Sequence, residues 1–417
     1  MRRVYTNILA AYLYLPFVIL MVLYPNIAFF REISFALMLI PSLLVFLGRK
    51  TFPKRYLVYF AYLGIKVIVG LHASSLSRCL KDCAQDLVYF TPIFIFDTIQ
   101  SIQDVKEKKK IGKKYFVIIS ILFGYCIIRS CLYSLTDPYA IRHMATYDVG
   151  EQPEGVPFAI GGGYPLIFAL ILLVPFWMYV AKKNHKTKTE LYVSLLAVAL
   201  SIMLLISSSV TTAVLITFLA VIFVLLLGKK RSFYVIVLAG GILTIVLLSN
   251  KSFLLKIINI VSGFFDRNSI IYIRLQEVVP ALFDGNTTSA FGVRLESIQL
   301  SLNTFFKYPI VGAGYHVGYN YYDLLPYVGQ HCEWIDLFAQ YGGVIAVLIL
   351  TFLKSSTNLL RKSCNIYIRP IFSLLILIYY VVGFFDPIIN TNMLLVLFVY
   401  VPSFIWKDNQ KIEPRLA

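Results

Sequence analysis

Charged residues are scarce in this chain of 417 residues. They make up 14% of the sequence, against about 25% in a typical soluble domain, while 59% of the residues are hydrophobic. This composition excludes a water-soluble enzyme. Acidic residues are the scarcer kind, with 21 Asp and Glu against 38 Lys and Arg. In so apolar a chain a basic excess indicates orientation in a membrane, so a nucleic-acid partner is not expected.

Patterns typical of other chemistries are also missing. The six cysteines form no CxxC pair, and only Cys79 and Cys83 lie close together outside a predicted span, so we expect neither a disulfide framework nor a zinc site. The five histidines form no HxxxH or HExxH pair. The sequence has no glycine-rich phosphate loop and no DxD-like carboxylate pair. We therefore expect no metal and no cofactor.

Long apolar runs recur along the whole chain. A bilayer core needs about 20 mostly apolar residues per helix, and we predict twelve such spans. Their approximate limits are 8–24, 33–47, 56–72, 85–102, 115–135, 162–181, 191–208, 211–227, 233–249, 335–353, 370–384 and 391–406. The sequence thus predicts an all-α polytopic membrane protein, with 1–417 as a single membrane domain.

Lys and Arg are concentrated in alternate loops. Because they mark cytoplasmic loops, we predict that both termini are cytoplasmic, and that the first apolar run is a span rather than a removed signal peptide. The predicted inner segments hold Arg2, Arg3 and the basic residues of 49–55, 106–114, 182–188, 229–231, 354–369 and 407–415.

Two predicted outer segments are longer than a turn requires, 136–161 and 250–334. Loops beyond about 12–15 residues are usually functional or disordered, and the second is too apolar and aromatic for disorder. We expect this large loop, between the ninth and tenth spans, to be partly helical and to fold against the membrane surface. Helical periodicity covers 268–283 and 292–307, the latter with one apolar stripe, Leu295, Ile298, Leu302 and Phe305.

His331 lies just before the tenth span, where a helix N-terminus would point free N–H groups outward and could bind an anion. Glu333, Asp336 and Gln340 follow as a polar stripe, and polar groups on a helix that enters a membrane tend to face a cavity. An interfacial histidine with a satisfied hydrogen bond would give the same pattern.

Arg294 lies near the start of the predicted helix 292–307, at the edge of its apolar stripe. There its stem can pack while its guanidinium reaches a phosphate. A snorkelling arginine, or a pair with Glu296, is the alternative. Arg142, Arg267 and Arg274 are further arginines of the outer segments.

Other candidates are less specific. Tyr315 and Tyr319 belong to an aromatic stretch that suits sugar rings, although tyrosine is equally expected in a membrane-interface belt. Asp386, at the outer end of the eleventh span, could bind an acceptor or cap a turn. Charges inside spans need partners: we expect Lys66 to pair with Asp97, while Arg129 could face the same cavity as the outer loops.

These features resemble the bacterial O-antigen polymerase and O-antigen ligase superfamily of polytopic membrane glycosyltransferases. The number of spans, the cytoplasmic termini and the late outer loop all agree. Gly292-Val293-Arg294-Leu295, with Pro309-Ile310-Val311-Gly312-Ala313-Gly314 beyond it, is similar to the arginine helix and Pro-x-x-Gly-x-Gly turn of the superfamily. The segment from His331 to Gly342-Gly343 is similar to its histidine, about ten residues and a glycine.

Two departures favour a polymerase over a ligase. Ligases usually carry an arginine in the hairpin between the spans counted here as seventh and eighth, whereas this chain has Ser207-Ser208-Ser209-Val210-Thr211-Thr212. The histidine of the superfamily is often followed by Asn, and here by Cys332. Arg142 in the first long outer segment also suits a polymerase, in which two outer loops are thought to handle two lipid-linked substrates.

The resemblance implies transfer of a glycan from undecaprenyl diphosphate to a hydroxyl of an acceptor sugar, at the outer face of the bacterial inner membrane. It implies that Arg294 offsets charge on the diphosphate and that His331 accepts the proton. Neither a metal nor a nucleotide sugar is required. A chain-length regulator and a flippase are the implied protein partners. Candidates for substrate binding are Arg142, Arg274, Glu333, Asp336, Tyr315, Tyr319 and Asp386.

Two other classes of protein are alternatives. A lipid-linked oligosaccharide flippase would bind the same lipid without bond chemistry, but transporters usually have internal repeats and short loops, and this chain has no obvious repeat and a long segment at 250–334. A structural or receptor protein is the third hypothesis. Within the superfamily, a ligase that transfers the glycan to lipid A-core is the alternative to a polymerase.

Overall fold

The computed structural model describes residues 2–24, 28–48, 53–71, 76–136, 162–184, 187–208, 210–226, 251–264, 267, 270–283, 290–313, 328–364, 368–389 and 392–407. The regular structure within these ranges is entirely helical. The recurring apolar runs predicted this all-α architecture.

Among the described residues, two π-helical turns interrupt the helices, Val180–Asn184 directly after Tyr179 and Val396–Tyr400 directly after Leu395. In chain order the helices are α1 Arg2–Leu13, α2 Leu15–Leu23, α3 Ala28–Gly48, α4 Lys54–Gly70, α5 Leu76–Gln100, α6 Val105–Thr136, α7 Tyr164–Tyr179, α8 Lys188–Ser207, α9 Thr211–Leu226, α10 Lys251–Ser262, α11 Ile270–Phe283, α12 Ala290–Lys307, α13 Glu333–Lys362, α14 Arg369–Val382, α15 Met393–Leu395 and α16 Val401–Lys407.

A helix lies over each predicted span except 233–249, which falls outside the described ranges. In the part of the chain that the structure describes, five helical stretches are long and apolar enough to cross a bilayer, namely Tyr5–Leu23, Val105–Leu135, Tyr164–Lys182, Lys188–Ser207 and Glu333–Lys362. Several shorter apolar helices accompany them. These helices indicate a multi-pass membrane protein, whereas the count of twelve spans is not confirmed and stays a prediction.

Helix α7 forms the centre of the bundle. Every residue from Pro165 to Trp177 is buried, and α8, α9 and α14 pack against it. A helix that is apolar on all sides is stable only when it is surrounded. The outer helices keep large apolar side chains exposed, such as Ile121 on α6, Leu196 on α8 and Phe218 on α9. Such an apolar outer surface suits contact with lipid.

The predicted pair between Lys66 and Asp97 is wrong. Lys66, whose side chain is 1% exposed, lies 2.7 Å from Asp82 and 2.6 Å from Asp86. Asp97 instead accepts a hydrogen bond from Arg55 at 2.5 Å. The reason is the antiparallel packing of α4 and α5, which brings the end of α4 to the first half of α5 and the start of α4 to its last turns.

Helix α13 is broken at Gly342, where φ is +73°. In an unbroken helix the Gly343 N–H would donate to the Ala339 carbonyl. Here the Gly343 N–H donates to the Pro309 carbonyl at 2.7 Å, and the Ala339 carbonyl accepts from the Ala313 N–H at 2.9 Å. The turn 309–313 therefore replaces the missing helical hydrogen bond.

Glycine is required on both sides of this contact, which we call the glycine junction (309–313 with the break at Gly342). Gly312 has a φ of +67°, and a Cβ there would collide with the Gln340 carbonyl. A Cβ at Gly342 would collide with the Ile310 carbonyl. The junction fixes α12 alongside the first ten or so residues of α13.

Helix α12 packs on α13 through a polar face together with Phe305, one residue of its predicted apolar stripe. Ser301 and Thr304 are buried, whereas Leu295, Leu302 and especially Phe306, which is 73% exposed, face outward. Phe305 contacts Phe338 of α13 with ring centroids 5.3 Å apart. The outward apolar face of α12 suits the expected position at the membrane surface.

Candidate functional site

Arg294 projects from the first half of α12 toward the start of α9 and the turn that follows α14. Its Nη1 donates to Thr212 Oγ1 at 2.9 Å, and its Nη2 lies 3.3 Å from Asp386 Oδ1. The guanidinium thus pairs with Asp386 rather than with Glu296. The Arg294 side chain is 35% exposed, so an anionic ligand can reach it.

Thr212 is a site residue that the sequence did not identify. It is the second residue of α9 and ends the hairpin segment in which ligases usually carry an arginine. A single hydroxyl in a polar hairpin has no distinctive spacing, so no sequence pattern marks Thr212. The one sequence signal was that this hairpin lacks the arginine usual in ligases, and the structure shows that the same segment contacts Arg294.

Asp386 lies in the turn after α14 and is buried. Burial raises the pKa of its carboxyl to about 6, while the nearby Arg294 charge and the Thr212 hydroxyl act in the opposite direction. Its Oδ2 atom is buried and accepts no hydrogen bond from the described part of the chain. An unpartnered buried carboxylate oxygen is costly, which agrees with the raised pKa.

His331 lies in the loop 328–332 and is half-buried. The loop packs closely on α12, since a Cβ at Gly329 would collide with the carbonyl of Ser297, one turn beyond Arg294. Burial and the positive charge of Arg294 both lower the pKa of the imidazole from its usual value near 6.5. His331 is consequently neutral at neutral pH, and it lies near enough to Arg294 to be affected by the Arg294 charge.

Asp336 holds the His331 loop in place. Its Oδ2 accepts the Cys332 N–H at 2.8 Å, and its Oδ1 accepts the Ser301 hydroxyl at 2.5 Å. The Ser301 oxygen in turn accepts the Gly329 N–H at 2.9 Å. Asp336 was predicted to bind substrate, and the structure shows its carboxylate bonded to the protein, where it positions the loop.

Glu333 holds the turn that contains Asp386. Its Oε2 accepts the N–H groups of Ile388 and Ile389, at 2.7 and 3.0 Å. Next to it, Trp334 lies so close to Gly383 that a Cβ on the glycine would collide with the indole. The first residues of α13 thereby hold both the His331 loop, through Asp336, and the turn with Asp386, through Glu333.

The structure does not test the remaining predicted binding residues. Arg142, Tyr315 and Tyr319 lie outside the described residues, as does the side chain of Arg274 on α11. Arg129 has its guanidinium 5.4 Å from the ring centroid of Tyr133, within α6. The roles predicted for these residues stay predictions.

Metal ligands are not grouped in the part of the chain that the structure describes, where no three His, Cys, Asp or Glu residues are arranged to hold an ion. Cys79 and Cys83 are buried free thiols on α5. The candidate site therefore consists of Arg294, Thr212, Asp386 and His331, with Glu333 and Asp336 supporting them.

Residues 195–352 match the family described as O-antigen ligase. No curated protein matches the chain. The matched range contains Thr212, Arg294 and His331 and ends within α13, while Asp386 follows it. The match confirms the resemblance to the O-antigen polymerase and ligase superfamily, and it indicates a membrane glycosyl-transfer function of that type.

Proposed function

We propose that this relative of the O-antigen ligases is a polymerase of O-antigen or capsular polysaccharide. In this proposal it transfers a glycan from undecaprenyl diphosphate to another lipid-linked repeat unit, at the outer face of the bacterial inner membrane. The main support is the convergence of Arg294, Thr212, Asp386 and His331 from four separate segments.

Arg294 offsets the negative charge of the diphosphate in the proposed reaction. A guanidinium can form two parallel hydrogen bonds to a phosphate. In the structure its contact with Asp386 is a long one, at 3.3 Å, so an incoming diphosphate can compete for it. Because a diphosphate is already a good leaving group, stabilising its charge is the largest task left to the protein.

His331 accepts the proton of the acceptor hydroxyl as that oxygen attacks the anomeric carbon of the donor. The bond between this carbon and the diphosphate oxygen breaks, and undecaprenyl diphosphate leaves with the electron pair. The lowered pKa of His331 keeps its imidazole neutral and ready to accept the proton at pH 7. The proposed step uses neither a nucleotide sugar nor a metal.

A ligase is the second candidate, because the matching family is described as O-antigen ligase. A ligase would use the same donor and transfer the glycan to lipid A-core. The hairpin supplies Thr212 where ligases usually carry an arginine, which favours the polymerase.

Purified protein supplied only with its lipid-linked repeat unit should make a ladder of longer lipid-linked glycans, with no metal or nucleotide added. Gel electrophoresis of the lipid-linked products resolves such a ladder. Product that forms only when lipid A-core is present would assign the protein as a ligase. Transport of intact units into vesicles, with no new glycosidic bond, would rule out an enzyme.

Polymer formation should fall as the pH is lowered from 7 to 5. His331, whose pKa lies below its usual value near 6.5, takes up a proton at acidic pH and can then no longer accept one from the acceptor. Asp386 has a pKa of about 6 and also takes up a proton at acidic pH, so both groups contribute to the loss of activity. The measurement is the initial rate at saturating substrate as a function of pH.

Asp386→Asn separates the two titrations. It removes the carboxyl and leaves the Arg294 charge uncompensated, which lowers the pKa of His331 further. The loss of activity at acidic pH should then move to lower pH. If the acidic transition disappears altogether in this variant, the titrating group is Asp386, and the role given to His331 is wrong.

A further inference from the structure

A cavity of about 440 Å³ lies between α6, α7, α8 and α16, away from the candidate site. We call it the lateral crevice. Its side toward the exterior is open, because Ile128 on α6 and Val193 and Leu196 on α8 line it and are each more than half exposed. The crevice therefore opens sideways from the bundle, in the direction of surrounding lipid. Its floor is aromatic and buried, formed by Phe176, Trp177, Tyr400 and Phe404.

The length of the lateral crevice matches one leaflet of a bilayer. Along α8 it extends from Glu190 to Leu200. Ten helical residues rise about 15 Å, which is half of a hydrocarbon core of about 30 Å. The polar atoms of the floor already have partners, since the Tyr400 hydroxyl accepts from Trp177 Nε1 at 3.0 Å. The interior thus suits a hydrocarbon chain.

The mouth of the lateral crevice is polar and charged. Lys407 Nζ lies 3.4 Å from Glu190 Oε1, and 4.1 and 4.3 Å from the ring centroids of Phe116 and Phe404. The exposed Thr187 and the N-terminus of α8 lie at the same end. A cation held over aromatic rings, beside a helix N-terminus and hydroxyls, is suited to a phosphate.

We propose that the lateral crevice binds a membrane phospholipid, with one acyl chain on the aromatic floor and the phosphate at Lys407. Helix α8 has 20 residues, or about 30 Å, and separates this mouth from the hairpin before Thr212. The site is thus at the opposite end of the bundle from Arg294. The predicted orientation places it in the inner leaflet. A single acyl chain fits a crevice of one-leaflet depth, whereas an undecaprenyl chain exceeds it.

Gly124 offers a way to fill the lateral crevice without disturbing the packing. It lines the crevice on α6, and a Cβ at this position meets nothing within 4 Å. Gly124→Leu should therefore occupy the place of the acyl chain. Gly64→Leu on α4 is a matched control, because a Cβ there also meets nothing within 4 Å, away from the crevice. Lys407→Met removes the charge and keeps an unbranched apolar side chain.

Native mass spectrometry of the full-length protein, purified in detergent and titrated with phosphatidylglycerol, measures the binding. The wild type and Gly64→Leu should retain one phospholipid tightly. Lys407→Met should bind it about tenfold more weakly, as expected for the loss of a charged hydrogen bond. Gly124→Leu should lose the single tightly bound lipid. Size-exclusion chromatography in the same detergent verifies folding, and Lys407→Met tests the site even if Gly124→Leu does not fold.

Three results would overturn the proposal. One is unchanged phosphatidylglycerol binding in both Gly124→Leu and Lys407→Met. Another is displacement of phosphatidylglycerol from the wild type by a lower concentration of undecaprenyl phosphate, which would make the occupant the prenyl carrier. The third is phospholipid binding by a chain that ends at Lys407 when the full-length chain binds none, which would show that residues 408–417 fill the crevice.

Discussion

His331→Gln should form polymer about 10²–10⁴-fold more slowly than the wild type, the usual cost of losing general-base assistance. Glutamine keeps the approximate size of the side chain and its hydrogen bonds but cannot take up the proton. Because Asp336 holds the loop through backbone groups, the variant should fold and bind the lipid-linked donor. The measurement is the initial rate of ladder formation between pH 6 and 8.

His331→Ala should show a similar loss, and His72→Gln, at a histidine that ends the third predicted span, is the control that should leave the rate unchanged. Binding of the lipid-linked repeat unit to His331→Gln is measured separately. If this variant polymerises at nearly the wild-type rate across the pH range, His331 only positions substrate, and the base must be sought elsewhere, first at Asp386.

Arg294→Ala should abolish polymer formation, and Arg294→Lys should retain little. A charged hydrogen bond is worth about 1.5–3 kcal/mol, and more when it acts mainly in the transition state. Lysine restores the charge but not the planar pair of donors that binds a diphosphate and reaches Thr212 and Asp386 together. The measurement is again ladder formation, normalised to the amount of protein in the membrane.

Loss of Arg294 also leaves the buried carboxyl of Asp386 without its counter-charge. The double variant Arg294→Ala/Asp386→Asn removes this unpaired buried carboxyl as well. If the double variant regained activity, Arg294 would act only through the Asp386 turn. Arg267→Ala, at an exposed arginine, is the matched control. Normal polymerisation by Arg294→Ala at normal abundance would show Arg294 to be a snorkelling side chain.

The sequence marked Arg294 and His331 as candidates because each stands at a recognisable boundary, one near the start of a periodic helix and the other before a long apolar run. It could not reveal how Glu333 and Asp336 are used. Their helical spacing predicts that both side chains lie on one face of the helix. Their partners, however, are mostly backbone N–H groups, and the sequence of side chains does not show where such groups lie. Thr212 was not predicted for a related reason, because a single hydroxyl has no characteristic spacing in the sequence.

The fold was likewise predictable in part: the positions of the helices could be predicted from the sequence, but their packing could not. Apolar runs predict where helices lie, and the described helices follow those runs. The runs do not reveal which helix occupies the centre: α7 is buried on all sides, whereas α8, equally apolar, is mostly exposed. Nor do they show how helices pair, so Lys66 was assigned the wrong partner. The break at Gly342 also depends on a distant turn, whose approach no local pattern predicts.

The glycine junction couples the bend in α13 to the docking of α12. In hydrocarbon, the break in α13 would leave the Ala339 carbonyl and the Gly343 N–H without partners, at a cost of several kcal/mol. A straight α13 would pair these two groups with each other, whereas the bent helix needs 309–313 to supply both partners. Because α12 carries Arg294 and packs on the start of α13, the bend in α13 and the position of Arg294 depend on the same contact.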